Sequence, residues 1–111
     1  MIEITVLTHL QSVLTTVPVY MEIPAVRPAT FIVVTKTGGG EDDHIRSAMI
    51  VLDCYSTSML AAGELCESAI AAMGSLTGSK DVSACQLNSS YNDTDTANKE
   101  YCYGALFDIY Y

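Results

Sequence analysis

Asp42, Asp43 and His44 stand together directly after Gly38, Gly39, Gly40 and Glu41, the one cluster of three or more metal-ligating residue types in succession. Neighbouring residues on a flexible, glycine-rich segment do not converge on one ion, and no other histidine or carboxylate is marked as a further ligand. The segment reads as a solvated loop, and no metal is assigned to it. Three glycines also suggest a phosphate cradle. That chemistry needs a following Lys-Ser/Thr and a helix whose first amides face the phosphates. Here Glu41 follows and the segment joins two strands, so the cradle fails.

Nucleophilic chemistry would need a thiol beside a histidine. The histidines are His9, on the polar side of a helical segment, and His44 in the loop, and nothing pairs either with a cysteine. Cys54, Cys66, Cys85 and Cys102 lack the C-x-x-C spacing of zinc or redox sites, and each falls in an apolar segment, where a free thiol packs as a small hydrophobe. They are expected to be reduced. Acid–base work by two carboxylates would need one in an apolar pocket. Asp53 and Asp108, each inside a strand, are the candidates, and both are expected to face solvent or a partner subunit. Asn88-Ser89-Ser90 and Asn92-Asp93-Thr94 match the glycosylation pattern by chance in a polar turn. No catalytic residue and no cofactor is expected.

Thirteen acidic against five basic residues give a formal charge of −8. Nucleic-acid binding runs on Lys and Arg displacing counterions, and Arg27, Lys36, Arg46, Lys80 and Lys99 are scattered without a run. Tight binding to DNA or an anionic membrane is therefore not expected. At 111 residues, half of them hydrophobic, the chain suits a single domain, residues 1–111, whose core needs no staple. The first residues carry neither a basic stretch nor an apolar run of signal type, and no segment approaches the ~20 apolar residues of a membrane span.

The elements follow from periodicity. Residues 3–16 place Val6, Leu7, Leu10, Val13 and Leu14 on one helical face, although Ile2, Ile4 and Val6 also alternate as a strand would. Pro18 ends the helix. Val19–Ile23, bounded by Pro18 and Pro24, is an edge strand or ordered coil. Thr30–Thr35 is a strand, Gly38–Gly40 break it, and a second strand runs from Arg46 to Tyr55 with Ala48, Ile50, Leu52 and Cys54 on one face. The two form a hairpin with a long, mobile connection. Ser56, Thr57 and Ser58 offer caps to a helix carrying Met59, Ala62, Cys66, Ala69, Met73 and Leu76, which ends near Gly74 or Gly78. Residues 82–91 and 100–110 form two more strands around a polar turn. The expected fold is α+β: an antiparallel sheet of about four to five strands with two helices packed on one face.

The order of soft motifs resembles the tail terminator (tail completion) family of siphophages across nearly the whole chain. The motifs are the entry at Pro18-Val19-Tyr20, Pro24 and Arg27-Pro28, the strand at Phe31-Ile32-Val33-Val34, and the hairpin at Thr37-Gly38-Gly39-Gly40. Asp53-Cys54-Tyr55-Ser56-Thr57 then precedes an Ala-rich helix, and a Tyr-led strand from Tyr101 closes the chain. The resemblance implies a structural virion protein: a ring, usually hexameric, at the tail–neck junction, assembled in the host cytoplasm. It would bind the last ring of major tail-tube protein, stop tube polymerisation and meet the neck or head-completion protein. DNA would pass through the lumen without specific binding. The family carries no agreed catalytic residues. The surface expected to meet a neighbouring subunit or the tube is Lys36, Gly38, Gly39, Gly40, Glu41, Asp42, Asp43 and Arg46. Two alternatives stand beside this reading: another neck or adaptor ring protein, or a small cytoplasmic ligand-binding domain with a cleft at the sheet edge.

Overall fold

Apolar spacing of three and four residues at the start and near the middle of the chain makes two helices, β-branched runs make the two strands of the hairpin between them, and an aromatic-rich alternation makes the last strand. The computed structural model describes residues 1–111. Helix α1 spans Ile2–Val13 and strands β1 and β2 span Val19–Tyr20 and Phe31–Asp42. Strand β3 covers Ile45–Ser56 and helix α2 Met59–Met73, followed by a 3-10 turn at Leu76–Gly78. Strands β4 (Ala84–Asn92) and β5 (Tyr101–Tyr110) complete the fold. It is α+β, with the strands in one sheet ordered β1-β2-β3-β5-β4.

Four strands pair antiparallel, but β1 lies parallel to β2 through Val19↔Ile32 and Tyr20↔Val33. The sheet is therefore mixed rather than purely antiparallel. The crossover between β1 and β2 is the proline-punctuated segment 21–30, which cannot close the tight turn that an antiparallel return would need.

Both helices cover the same sheet face. Ile2, Val6 and Leu10 of α1 join Leu65, Cys66, Ala69, Ala72 and Met73 of α2 in one core over Ile32, Val34, Ile50, Leu52, Cys54, Ala105, Phe107 and Ile109. In α1 the stripe turns out to run through Ile2 rather than Val13, which is exposed. Ser58 caps α2, its hydroxyl accepting from the Ala61 amide at 3.1 Å, and α2 stops at Gly74. His9 is a clamp between the helices: its Nε2–H donates to the Ala72 carbonyl at 2.8 Å, with Ser75 Oγ 3.0 Å from the same nitrogen. The same carbonyl also accepts from the Ser75 amide at 3.3 Å and the Ser75 hydroxyl at 2.9 Å, so His9 joins a shared acceptor at the α2 C-terminus.

The stretch Met59–Gly78 is, by length and composition, long and apolar enough to cross a membrane. Its apolar residues Leu65, Cys66, Ala69, Ala72 and Met73 are packed onto the sheet, and Leu76 at its end is fully buried.

Candidate functional site

The glycines do not break the strand. β2 continues through Gly38–Gly40 to Asp42 and pairs with β3 down to Asp42↔Ile45, leaving a turn of two residues, Asp43 and His44. The long, mobile connection expected between the strands is thus a tight hairpin end. Asp43 and His44 have φ of 53° and 68°. Two positive φ values at the central positions follow the right-handed strand twist. His44 and the carboxylates beside it are therefore turn and strand-end residues.

Register explains the glycines. Thr37 is the extra residue of a bulge between Lys36 and Gly38, and its hydroxyl donates to the Met49 carbonyl at 3.4 Å. Beyond it, a Cβ at Gly39 would lie 2.7 Å from the Ser47 carbonyl oxygen, whereas one at Gly40 would meet nothing within 4 Å. Only glycine at position 39 lets the two backbones approach so closely.

The ribbon outruns the sheet. β5 pairs with β3 only as far as Ser47↔Tyr110, so Glu41–Arg46 project past its end. All residues from Thr35 to Arg46 are exposed except the half-buried Gly38. The molecule measures 45 Å along its long axis against 26 and 24 Å across. At the ribbon's base the Arg46 guanidinium lies 4.9 Å over the Tyr111 ring, while the Tyr111 amide donates to the Arg46 carbonyl at 2.9 Å. Of the eight residues expected at the interface, all lie on this one ribbon.

Both sheet margins are open. β1 covers β2 only at Ile32 and Val33, so β2 from Val34 onward has no strand partner on its outer side. At the opposite margin the outer side of β4 is bare, and Gln86–Asn92 are exposed. A second bulge, at Asn88, interrupts that edge, and the Asn88 side-chain amide donates to Asp108 at 3.0 Å. Asp108 is thereby a bulge partner at the sheet surface, as solvent-facing carboxylates often are. Bare edges are templates for pairing with another chain, and bulges restrain that pairing.

Asp53 faces away from the helices, and on that side Asp53, Asp93 and Cys102 bring their ligand atoms within 4.8 Å of one another. Burial, and then the Asp93 charge, push Asp53 above its ordinary value. Burial, then Asp53 and Asp93, push the Cys102 thiol up to about 12. Asp53 and Cys102 are thereby shifted toward their protonated forms. The donor set ends at three, mixes carboxylates with a protonated thiol and includes an exposed Asp93. Sequence reasoning found Asp53 but missed Asp93 and Cys102, because the β4–β5 turn brings them close and no spacing encodes that.

All four cysteines are free, with Cys85 half-buried and the other three buried. Cys54 is held protonated by its hydrogen bond with Cys66 and by burial. Neither histidine reaches a thiol: His9 serves the α2 terminus and His44 the turn. A groove of about 600 Å³ runs between α2 and β4, with Met59, Leu60, Ile70 and Tyr103 on its apolar wall and Glu64 and Glu67 beside them. Leu60 on its rim is 74% exposed. Among known proteins, no family model matches the chain and no curated protein matches it.

Proposed function

We propose that this chain is the ring-forming tail terminator subunit of a long, non-contractile phage tail. It caps the head-proximal end of the tube, stops tube polymerisation and joins the tail to the neck. The observation that carries this reading is the β2–β3 ribbon, which projects past the sheet from a subunit whose two sheet margins are both open. A protein built to fold alone ordinarily blunts or covers such edges, and one built to assemble presents them. The groove beside the exposed Leu60, part apolar and part acidic, supports the same reading, because it offers a second surface for the major tail-tube protein or the neck protein. The charge of −8 suits a lumen through which DNA must slide, since few phosphates are neutralised. The reading assigns no catalysis and no cofactor.

Deleting the gene from its phage is the direct test. Tails should reach abnormal lengths and fail to join heads, as seen by electron microscopy. Normal infectious particles would end the proposal. Removing Glu41–Arg46 and closing the ribbon with Asn-Gly should leave the core intact, since none of those six residues is buried, and should give the same tail defect.

A further inference from the structure

Three of the five basic residues, Lys36, Arg46 and Lys80, line a single cavity of about 590 Å³ at the base of the ribbon. They come from β2, from the projecting end of β3 and from the turn before β4, so only the fold brings them together. None has a carboxylate within 4.0 Å, and the one ion pair in the molecule joins Arg27 to Glu100 elsewhere. Glu3 and Asp81 share the cavity wall without pairing. Arg46 is already oriented by its stacking on Tyr111, which reduces the rotamer freedom lost when it meets an anion. The three cations outnumber the two carboxylates of the wall, so the cavity is a locally basic spot in a chain of net charge −8.

The complementary feature lies a few residues away. Glu41, Asp42 and Asp43 are exposed at the ribbon tip, and none has a basic partner. The tip does not serve its own cavity: Glu41 stands directly across from Arg46 in the ladder yet makes no ion pair with it. The paired backbones carry Asp42 and Asp43 further out still, and their charge can be matched only by another molecule. We propose that the acidic tip of one copy, Glu41, Asp42 and Asp43, seats in the cationic cavity of the next copy, against Lys36, Arg46 and Lys80. Tip and cavity are different patches of one surface, so the contact is head-to-tail, the kind that closes into a ring. It rests on the ring-forming part of the proposed function and names the contact that makes the ring.

A charge exchange tests it. The tip variant carries Glu41→Lys, Asp42→Lys and Asp43→Asn, and the cavity variant carries Lys36→Glu, Arg46→Glu and Lys80→Glu. Sedimentation should show each variant alone associating about tenfold or more weakly than the original chain. An equal mixture should recover assembly, because every basic tip then meets an acidic cavity and every acidic tip a basic one. A milder pair, Asp42→Lys and Lys80→Glu, repeats the test on two exposed side chains if the triple variants fold poorly, as judged by circular dichroism. A mixture no tighter than its components, single variants that assemble like the original chain, or an original chain that stays monomeric throughout would each overturn the contact. The tail phenotype of the gene deletion is read separately, so failure of the contact and failure of the terminator role remain distinguishable.

Discussion

Asp53 shows how one residue carries a stability cost that its neighbours set. Burial and the nearby Asp93 raise its folded-state pKa above the ordinary value, so the native state holds that proton to higher pH than the unfolded chain does. Stability from this group is full below the unfolded value and is lost as pH rises through the folded one. Asp53→Asn should therefore raise the melting temperature at pH 7, and the gain should shrink as the pH is lowered toward 4. A variant less stable at pH 7 would mean that the carboxylate holds a favourable partner. The thiols give a second residue-scale expectation. A thiol reagent should reach the half-buried Cys85 first, slowly, because burial pushes that thiol up to about 11. All four should react in denaturant without reductant, and recovery of a stoichiometric disulfide would refute the reduced state.

At the scale of elements, the hairpin is held by local backbone chemistry. Gly39→Ala would drive a Cβ into the Ser47 carbonyl, a backbone atom that cannot rotate away, whereas Gly40→Ala enters open space. The first change should cost about 1–3 kcal/mol and speed hydrogen exchange across Lys36–Arg46. The second should leave exchange unchanged. At the turn, His44 holds a positive φ that costs a side-chain-bearing residue roughly 1–2 kcal/mol. His44→Gly should relieve part of that strain and slow the same exchange. Faster exchange in this variant would assign the imidazole a structural bond.

For the whole molecule, charge acts on two length scales at once. In the proposed ring, each subunit would repel its neighbours through its net charge of −8, over a Debye length that falls from about 30 Å at 0.01 M salt to about 10 Å at 0.1 M. The proposed contact between tip and cavity would work at close range and weaken only as screening approaches about 3 Å near 1 M. Native mass measurements should accordingly find the assembled fraction rising with salt, passing through a maximum and falling again. A steady decline from the lowest salt would show that repulsion between subunits is negligible.

The two helices, the core residues of β3 and the span of β5 were legible in the sequence, because period and burial act on neighbours along the chain. Ala48, Ile50, Leu52 and Cys54 had to share a face, and they line the core. The ribbon was misread because three consecutive glycines signal a break from local propensity alone. Tertiary pairing overrode that signal, since β3 supplies hydrogen bonds along the whole of β2 and one glycine is needed for close approach. The eight residues expected on the ribbon fell together because they are nearly contiguous. Lys80 and Tyr111 joined them only in three dimensions. Sequence determined that the chain is acidic, which residues could pack and where the helices lie. The tertiary structure decided which margins stay open and which charges meet, because both depend on residues distant in the chain whose proximity no spacing records.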